Sequence, residues 1–417
     1  MVNQNRSITE KMILFWHNHV PTDFNFDPNY CFGYVDLLRT HALGNFKTLM
    51  FEMSKNAAML NYLNGNLNTK NAPNENYARE LQELFIIGKD LPIHFTETDI
   101  QTAAKVLTGW RDDPTFPPNP VYFDALQHDT TNKTFSSFYN NTIITGQSGA
   151  SAGDNELNAL INMIFAHNEA AKYIVRKIYR FFVYYKIDST IETDVIIPLA
   201  NTFRTNNYDI VPVLTELFTS QHFYDIMQVA SHIKNPIDLN IGTIRLFNPV
   251  FPTATTALYN SWKSIHNYCS YQDMEPGAPP SVSGWTAYYQ APNYHELWID
   301  ADSLRRKKEF VDKFLGTGFS GVAANVLTIT ATMANPGDPD LLIAEVLELC
   351  HVLPSDQPLI DSLKSILLSG QTANYYWTNA WNAYIAAPTN MTNANIVTSR
   401  LKPFYTAILT MAEAYLS

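Results

Sequence analysis

The sequence predicts an all-α globular protein of two or three packed lobes, with long irregular insertions and at most a small β-hairpin. Three observations carry this. Apolar residues recur at i, i+3 and i+4 through most of the chain. Helix-start and helix-stop signals bracket those runs. At 417 residues one core rarely serves the whole chain.

The elements follow in order. Ser7-Ile8-Thr9-Glu10 reads as a capping box, with Met12, Trp16 and His19 at helical spacing behind it. Pro21 pushes Val20 off helical angles and stops this helix. A second helix runs through Tyr34, Leu37, Leu38 and Ala42 to a break at Gly44, and a third carries Phe46, Leu49, Met50 and Met53. Pro73-Asn74 announces a helix with Tyr77, Leu81, Leu84 and Phe85, stopped by Gly88. Thr96-Glu97-Thr98-Asp99 starts the next, with Ile100, Ala103, Ala104 and Leu107 on one face.

Residues 111–150 are rich in Pro, Asn, Thr and Ser, with short β-type runs at Val121-Tyr122-Phe123 and Thr142-Ile143-Ile144. Helices return over 151–268. A Pro-, Gly- and Tyr-dense loop spans 269–296, and 297–417 is helical again, broken near Asn335-Pro336-Gly337 and Leu353-Pro354. The expected organisation is therefore a helical lobe over 1–110, an insertion, a central helical region, a loop and a C-terminal helical region.

Composition excludes several function classes. With 46% hydrophobic and 16% charged residues the chain is not mainly disordered. A formal net charge of −11 argues against nucleic-acid binding driven by bulk electrostatics. No run approaches the roughly 18–20 apolar residues that span a bilayer, and Met1 to Arg6 lacks the apolar core of a signal peptide. Cys31, Cys269 and Cys350 form no metal spacing and read as buried free thiols.

Four constellations bear chemistry. In Trp16-His17-Asn18-His19 the two histidines sit about 200° apart on a continuous helix, so they share a metal only if the helix unwinds before His17. Otherwise His19 is a core histidine bonded to a backbone carbonyl and His17 lies near the surface. In the helix after Pro73, Glu75, Arg79 and Glu83 form successive i, i+4 pairs. Glu80 borders the apolar stripe without a local cation, and so calls for a histidine, arginine or metal from elsewhere, or a buried ion pair between helices. His128-Asp129 in the insertion suits an acid–base pair or a solvated loop. Lys172, Arg176 and Arg180 align on one stripe of a basic helix that also carries Lys177, fit for an anionic ligand or for solvent. HExxH, GxSxG, the P-loop and a helix-opening GxGxxG are all missing.

Taken in order, these motifs resemble one family. Phe15-Trp16-His17-Asn18-His19, His41-Ala42-Leu43-Gly44-Asn45-Phe46, Ala72-Pro73-Asn74-Glu75-Asn76-Tyr77-Ala78-Arg79-Glu80-Leu81, Leu107-Thr108-Gly109-Trp110, His128-Asp129, Arg176-Lys177, Gly284-Trp285, Trp298-Ile299 and Arg305 are similar to the bacterial family catalogued as domain of unknown function 1800. The resemblance implies an all-helical, often exported protein (periplasmic or on the cell surface), frequently encoded beside sulfatase-like partners, and with no established activity. It also implies a further helical stretch before the Trp-His-Asn-His signature, and a tighter pattern before Gly284-Trp285 than this sequence has.

Two functions are expected from these residues. One is a metal-dependent, hydrolase-like enzyme acting on an extracellular polymer or glycan. There His17, His19 and Glu80 would hold a divalent metal ion, Glu80, His128 and Asp129 would move protons, and Arg79, Trp285, Tyr288 and Trp298 would bind substrate. The other is a non-catalytic binding or assembly module working with a protein partner, in which the polar motifs hold helices together.

Overall fold

The computed structural model describes residues 1–89, 94–113, 115 and 120–417. Residues 114 and 116–119 of the irregular insertion therefore lie outside the described residues, as do 90–93. The chain is 59% helical, and its described residues form 18 helices and two antiparallel two-stranded ribbons. It divides into two compact units. The N-terminal unit comprises Gln4–Tyr224 and Gly277–Ala291, and the C-terminal unit Met1–Asn3, Asp225–Pro276 and Pro292–Ser417. One boundary, between Tyr224 and Asp225, falls inside the stretch that reads from sequence as one central helical region. Among the described residues no helix is long and apolar enough to cross a membrane.

The N-terminal unit opens with α1 (Thr9–His19), α2 (Pro28–His41), α3 (Phe46–Met53) and α4 (Ala57–Tyr62). The expected capping box does not form on α1. Ile8 occupies the N-cap, and Ser7 Oγ accepts from Thr9 N at 3.1 Å. The helix stays wound through His19, where Val20 N still donates to Trp16 O at 2.8 Å. Pro21 ends it there, as the sequence predicts.

Next, α5 (Asn76–Glu80) runs on into a π turn, Leu81–Ile86. Ile87 N and Gly88 N both donate to Gln82 O. The Leu84 and Phe85 carbonyls at this C-terminal end instead accept from side chains of other helices, as orphan carbonyls at a helix end must. By contrast, α6 (Glu97–Val106) starts where Thr96-Glu97-Thr98-Asp99 predicts, and Thr96 and Asp99 form a capping box there. Asp99 also accepts from Ser136 N and Oγ, each at 2.7 Å, which ties the insertion to α6.

Within the insertion β1 (Trp110–Asp112) pairs with β2 (Val121–Phe123), and β3 (Lys133–Thr134) with β4 (Ile143–Ile144). There are thus two short ribbons where one hairpin is expected. Behind them lie α7 (Ala152–Phe165) and α8 (Asn168–Phe182). Next come α9 (Ser189–Ile191, through a π turn at Glu192–Ile196 into Ile197–Thr205) and α10 (Ile210–Thr219).

The C-terminal unit holds α11 (Pro236–Phe247), α12 (Thr255–Tyr271), α13 (Ala301–Leu315) and α14 (Val326–Ala331). It continues with α15 (Pro339–Cys350), α16 (Gln357–Leu367), α17 (Tyr375–Ala386) and α18 (Met391–Leu409). The last is its axis: α13 to α17 all pack on α18, whose Val397, Leu401, Phe404, Tyr405 and Ile408 are fully buried. The breaks expected near Pro336 and Pro354 separate α14, α15 and α16. Of the three free thiols only Cys269 is fully buried; Cys31 and Cys350 are partly so.

Candidate functional site

The four residues of the opening signature tie α1 to several segments of the N-terminal unit. Trp16 Nε1 donates to Ala42 O at 3.1 Å, and its ring stacks on Phe46 at 5.1 Å. His17 Nδ1 bonds Tyr34 Oη at 2.8 Å, and Tyr34 passes a bond on to Val20 O at 3.0 Å. His17 Nε2 accepts from Gly277 N at 3.1 Å. Asn18 Oδ1 accepts from Trp285 N at 2.9 Å. His19 Nε2 donates to Phe85 O at 2.8 Å, which leaves Nδ1 to accept from Lys177 Nζ at 3.2 Å.

Two glycines permit this docking. Gly277 (φ +88) and Gly284 (φ +83) sit in the left-handed region, and a Cβ at either would run into the Phe24 ring or the Asn18 side chain. The short segment from 277 to 291 thereby closes over α1 and buries His17, which is only 7% exposed. The expectation that His17 lies near the surface is corrected here. The alternative for His19, a core histidine on a backbone carbonyl, is what its bond to Phe85 O provides.

These bonds bear on the metal set. A site shared by His17 and His19 requires an unwound helix, and α1 is continuous through both. Each histidine spends both ring nitrogens on protein partners. Burial pushes His17 down to about 4, and burial followed by the Lys177 charge holds His19 well below the usual histidine range, against the bond to Phe85 O. Glu80 is half-buried, and its carboxyl is raised by burial and by Glu83 against the opposing pull of Arg79 and Lys89. Among the described residues it takes no hydrogen-bond or ion-pair partner, and no group of three His, Cys, Asp or Glu is placed to hold a metal ion. The structure does not bring His17, His19 and Glu80 together, so the residues do not fit a shared divalent ion.

The other expected site residues are also engaged. Arg79 pairs with Glu75 at 3.2 Å, with Glu83 at 3.4 Å and with Glu97, so the i, i+4 ridge read from sequence is present and gains a third carboxylate. His128 Nε2 faces Glu156 Oε1 at 3.0 Å and its Nδ1 faces Thr108 O at 2.9 Å. Glu156 also takes Lys133 Nζ at 2.6 Å and Gln147 N at 2.7 Å. His128, Lys133 and Glu156 are buried, so His128 anchors the insertion to α7. Asp129 caps the next turn by accepting from Thr131 N at 2.8 Å. The expected acid–base pair is thus a buried ion-pair network, and sequence reading missed its central Glu156. Trp285 and Trp298 are buried and offer no face for stacking a sugar; Trp298 belongs to the C-terminal unit, where its carbonyl accepts from Lys307 Nζ at 2.8 Å.

One cavity in the N-terminal unit is lined by chemistry. It measures about 40 Å³ and is bordered by His19, Lys177, Arg180, Ser283, Tyr288 and Tyr289. Asn18, Phe15 and Phe181 complete its wall, and Tyr288 stacks on Phe181 at 5.0 Å. Lys177 points inward from α8: its Nζ donates to His19 Nδ1 at 3.2 Å and to Leu84 O at 3.3 Å, and lies 4.8 Å from the centre of the Tyr173 ring. Burial and the neighbouring Arg180 charge push it down to about 7. Arg176, in the basic stripe read from sequence, is instead held by Glu169 and Glu192. A signal for Lys177 exists in the sequence. It lies between Ile174 and Phe181 at i+3 and i−4, on the edge of the buried face.

No curated protein and no solved structure matches the chain at a significant level. A family model does, and it covers the opening signature, the α5 ridge, the α8 lysine and the segment that closes over α1. The chain belongs to the family described as Protein of unknown function (DUF1800), whose model matches residues 1–412.

Proposed function

We propose that this protein is a ligand-binding module, whose binding element is the N-terminal-unit cavity bordered by α1, α8 and the ring-bearing segment around Tyr288 and Tyr289. The observation that carries this reading is the division of labour along α1. Trp16, His17 and Asn18 are committed to framework bonds, whereas His19 joins Lys177 at the wall of a cavity. A pocket with a few convergent polar groups and a perturbed cation beside aromatic walls is the general pattern of a binding site. Tyr289 is 41% exposed and stands where a larger ligand would leave the cavity.

A metal-dependent hydrolase would need His17 and His19 released from these bonds, so the geometry favours the binding reading. The sulfatase-like partner implied by the family resemblance belongs to this proposal as a supplier or receiver of the ligand. The test is a thermal-shift panel on the full chain with neutral and acidic oligosaccharides and small organic acids, repeated on Tyr289→Ala. A ligand at one hundred times its Kd stabilises by roughly 2.7 kcal/mol, and at least one class should raise Tm in the wild type and less in the variant. A panel with no response removes the reading.

A further inference from the structure

We infer that the group taken by this cavity is a compact oxyanion, a carboxylate, sulfate or phosphate group carried by the ligand. The inference rests on the reading of the cavity as the binding site, and it comes from charge. Lys177 is a partly buried cation whose two acceptors, His19 Nδ1 and Leu84 O, are both uncharged. No carboxylate pairs with it among the described residues.

Three other cations of the N-terminal unit meet carboxylates, whereas Arg111, like Lys177, donates to carbonyls. Lys133 meets Glu156, Arg79 meets three glutamates, and Arg176 meets Glu169 and Glu192. An ammonium that loses part of its hydration without gaining an anion is penalised, and the fold leaves that penalty in place at the wall of a cavity.

Losing a proton from Lys177 would lessen this cost without emptying the cavity of charge. Arg180 lines the same space, and a guanidinium stays protonated at any accessible pH. Arg180 Nε donates to Tyr185 O at 3.3 Å. Glu192, which accepts from Arg176 Nε and Nη2, also feels the Arg180 charge. Ser283, Tyr288 and Tyr289, each bearing a hydroxyl, border the same space, and Tyr289 Oη lies 3.3 Å from Ser281 Oγ. Donors together with positive charge are what an oxyanion requires, and a volume of about 40 Å³ admits a small group rather than a whole sugar ring. The remainder of the ligand then passes Tyr289 toward solvent.

The experiment is isothermal titration of the full chain with sodium acetate, sodium sulfate and sodium phosphate, each at ionic strength matched with sodium chloride. Saturable binding of at least one anion is expected. It should weaken at least tenfold in Lys177→Met and in Arg180→Gln, and stay unchanged in Lys172→Met, which removes a charge from the same helix outside the cavity. Acetate alone would identify a carboxylate ligand, and sulfate or phosphate a tetrahedral one. If Lys177→Met does not fold, Arg180→Gln carries the comparison. Equal binding by wild type and both cavity variants overturns the inference, as does no binding at all. If anions fail while a neutral oligosaccharide still gives a Tyr289-dependent shift, the oxyanion falls and the binding module stands; if both fail, both fall.

Discussion

Asn18 Oδ1 accepts the backbone N–H of Trp285 at 2.9 Å, across 267 residues of sequence. Beside it, Gly284 approaches Asn18 so closely that no Cβ fits. One asparagine on α1 therefore positions the segment that walls the cavity. Asn18→Ala leaves a buried N–H unpaired and should cost about 1–3 kcal/mol. Gly284→Ala, strained in both φ and space, should cost at least as much. Urea denaturation of the two variants checks this, and a cost below that of an ordinary surface change would contradict the docking.

His17 predicts a pH dependence. Its pKa is about 4 in the fold against an ordinary 6.5, because burial disfavours the charged ring. Between those values the unfolded chain holds a proton that the native ring does not, so stability rises with pH. The contribution is fully present above about 6.5, is lost as pH falls toward 4, and amounts to about 3 kcal/mol. His19 acts in the same direction. The His17→Gln variant should show a shallower loss of stability over this window, by about 1.4 kcal/mol per pH unit. Parallel curves for wild type and variant would refute the assignment.

Lys133 and Glu156 form a buried ion pair at 2.6 Å with fully enclosed side chains. Removing one partner strands the other, so Lys133→Met and Glu156→Gln should each cost about 3–5 kcal/mol. The double variant should lose clearly less than the sum, because neither charge is then left alone. A double-mutant cycle by chemical denaturation measures the difference, and simple additivity would mean that the two do not act as a pair.

Glu80 should behave in the opposite way to a paired carboxylate. Its pKa is raised by burial and by Glu83, so the charged form is penalised in the fold and stability falls as pH rises through the carboxylate range. At neutral pH Glu80→Gln should be neutral or slightly stabilising, within about 0.5 kcal/mol given its partial exposure. A loss of several kcal/mol would reveal a partner.

Local features of this fold are legible in the chain. The Thr96–Asp99 capping box, the Glu75–Arg79–Glu83 ridge and the stop at Pro21 depend on residues within four positions of one another. So does the placement of His19 on the apolar stripe of α1. These are matters of helical pitch, hydrogen-bonding reach and the missing proline N–H, and sequence spacing encodes them directly.

The site is a matter of distant partners. His17 is buried because Gly277 arrives from 260 residues away, and Lys177 meets His19 across 158. Lys177 stands one position from Arg176 on the same basic helix, yet one turns to a cavity and the other to two glutamates. Periodicity assigns a side chain to a face of its own helix. Whether that face meets a carboxylate, a carbonyl or an empty space depends on which segment packs there, and that follows from the summed burial of the whole unit.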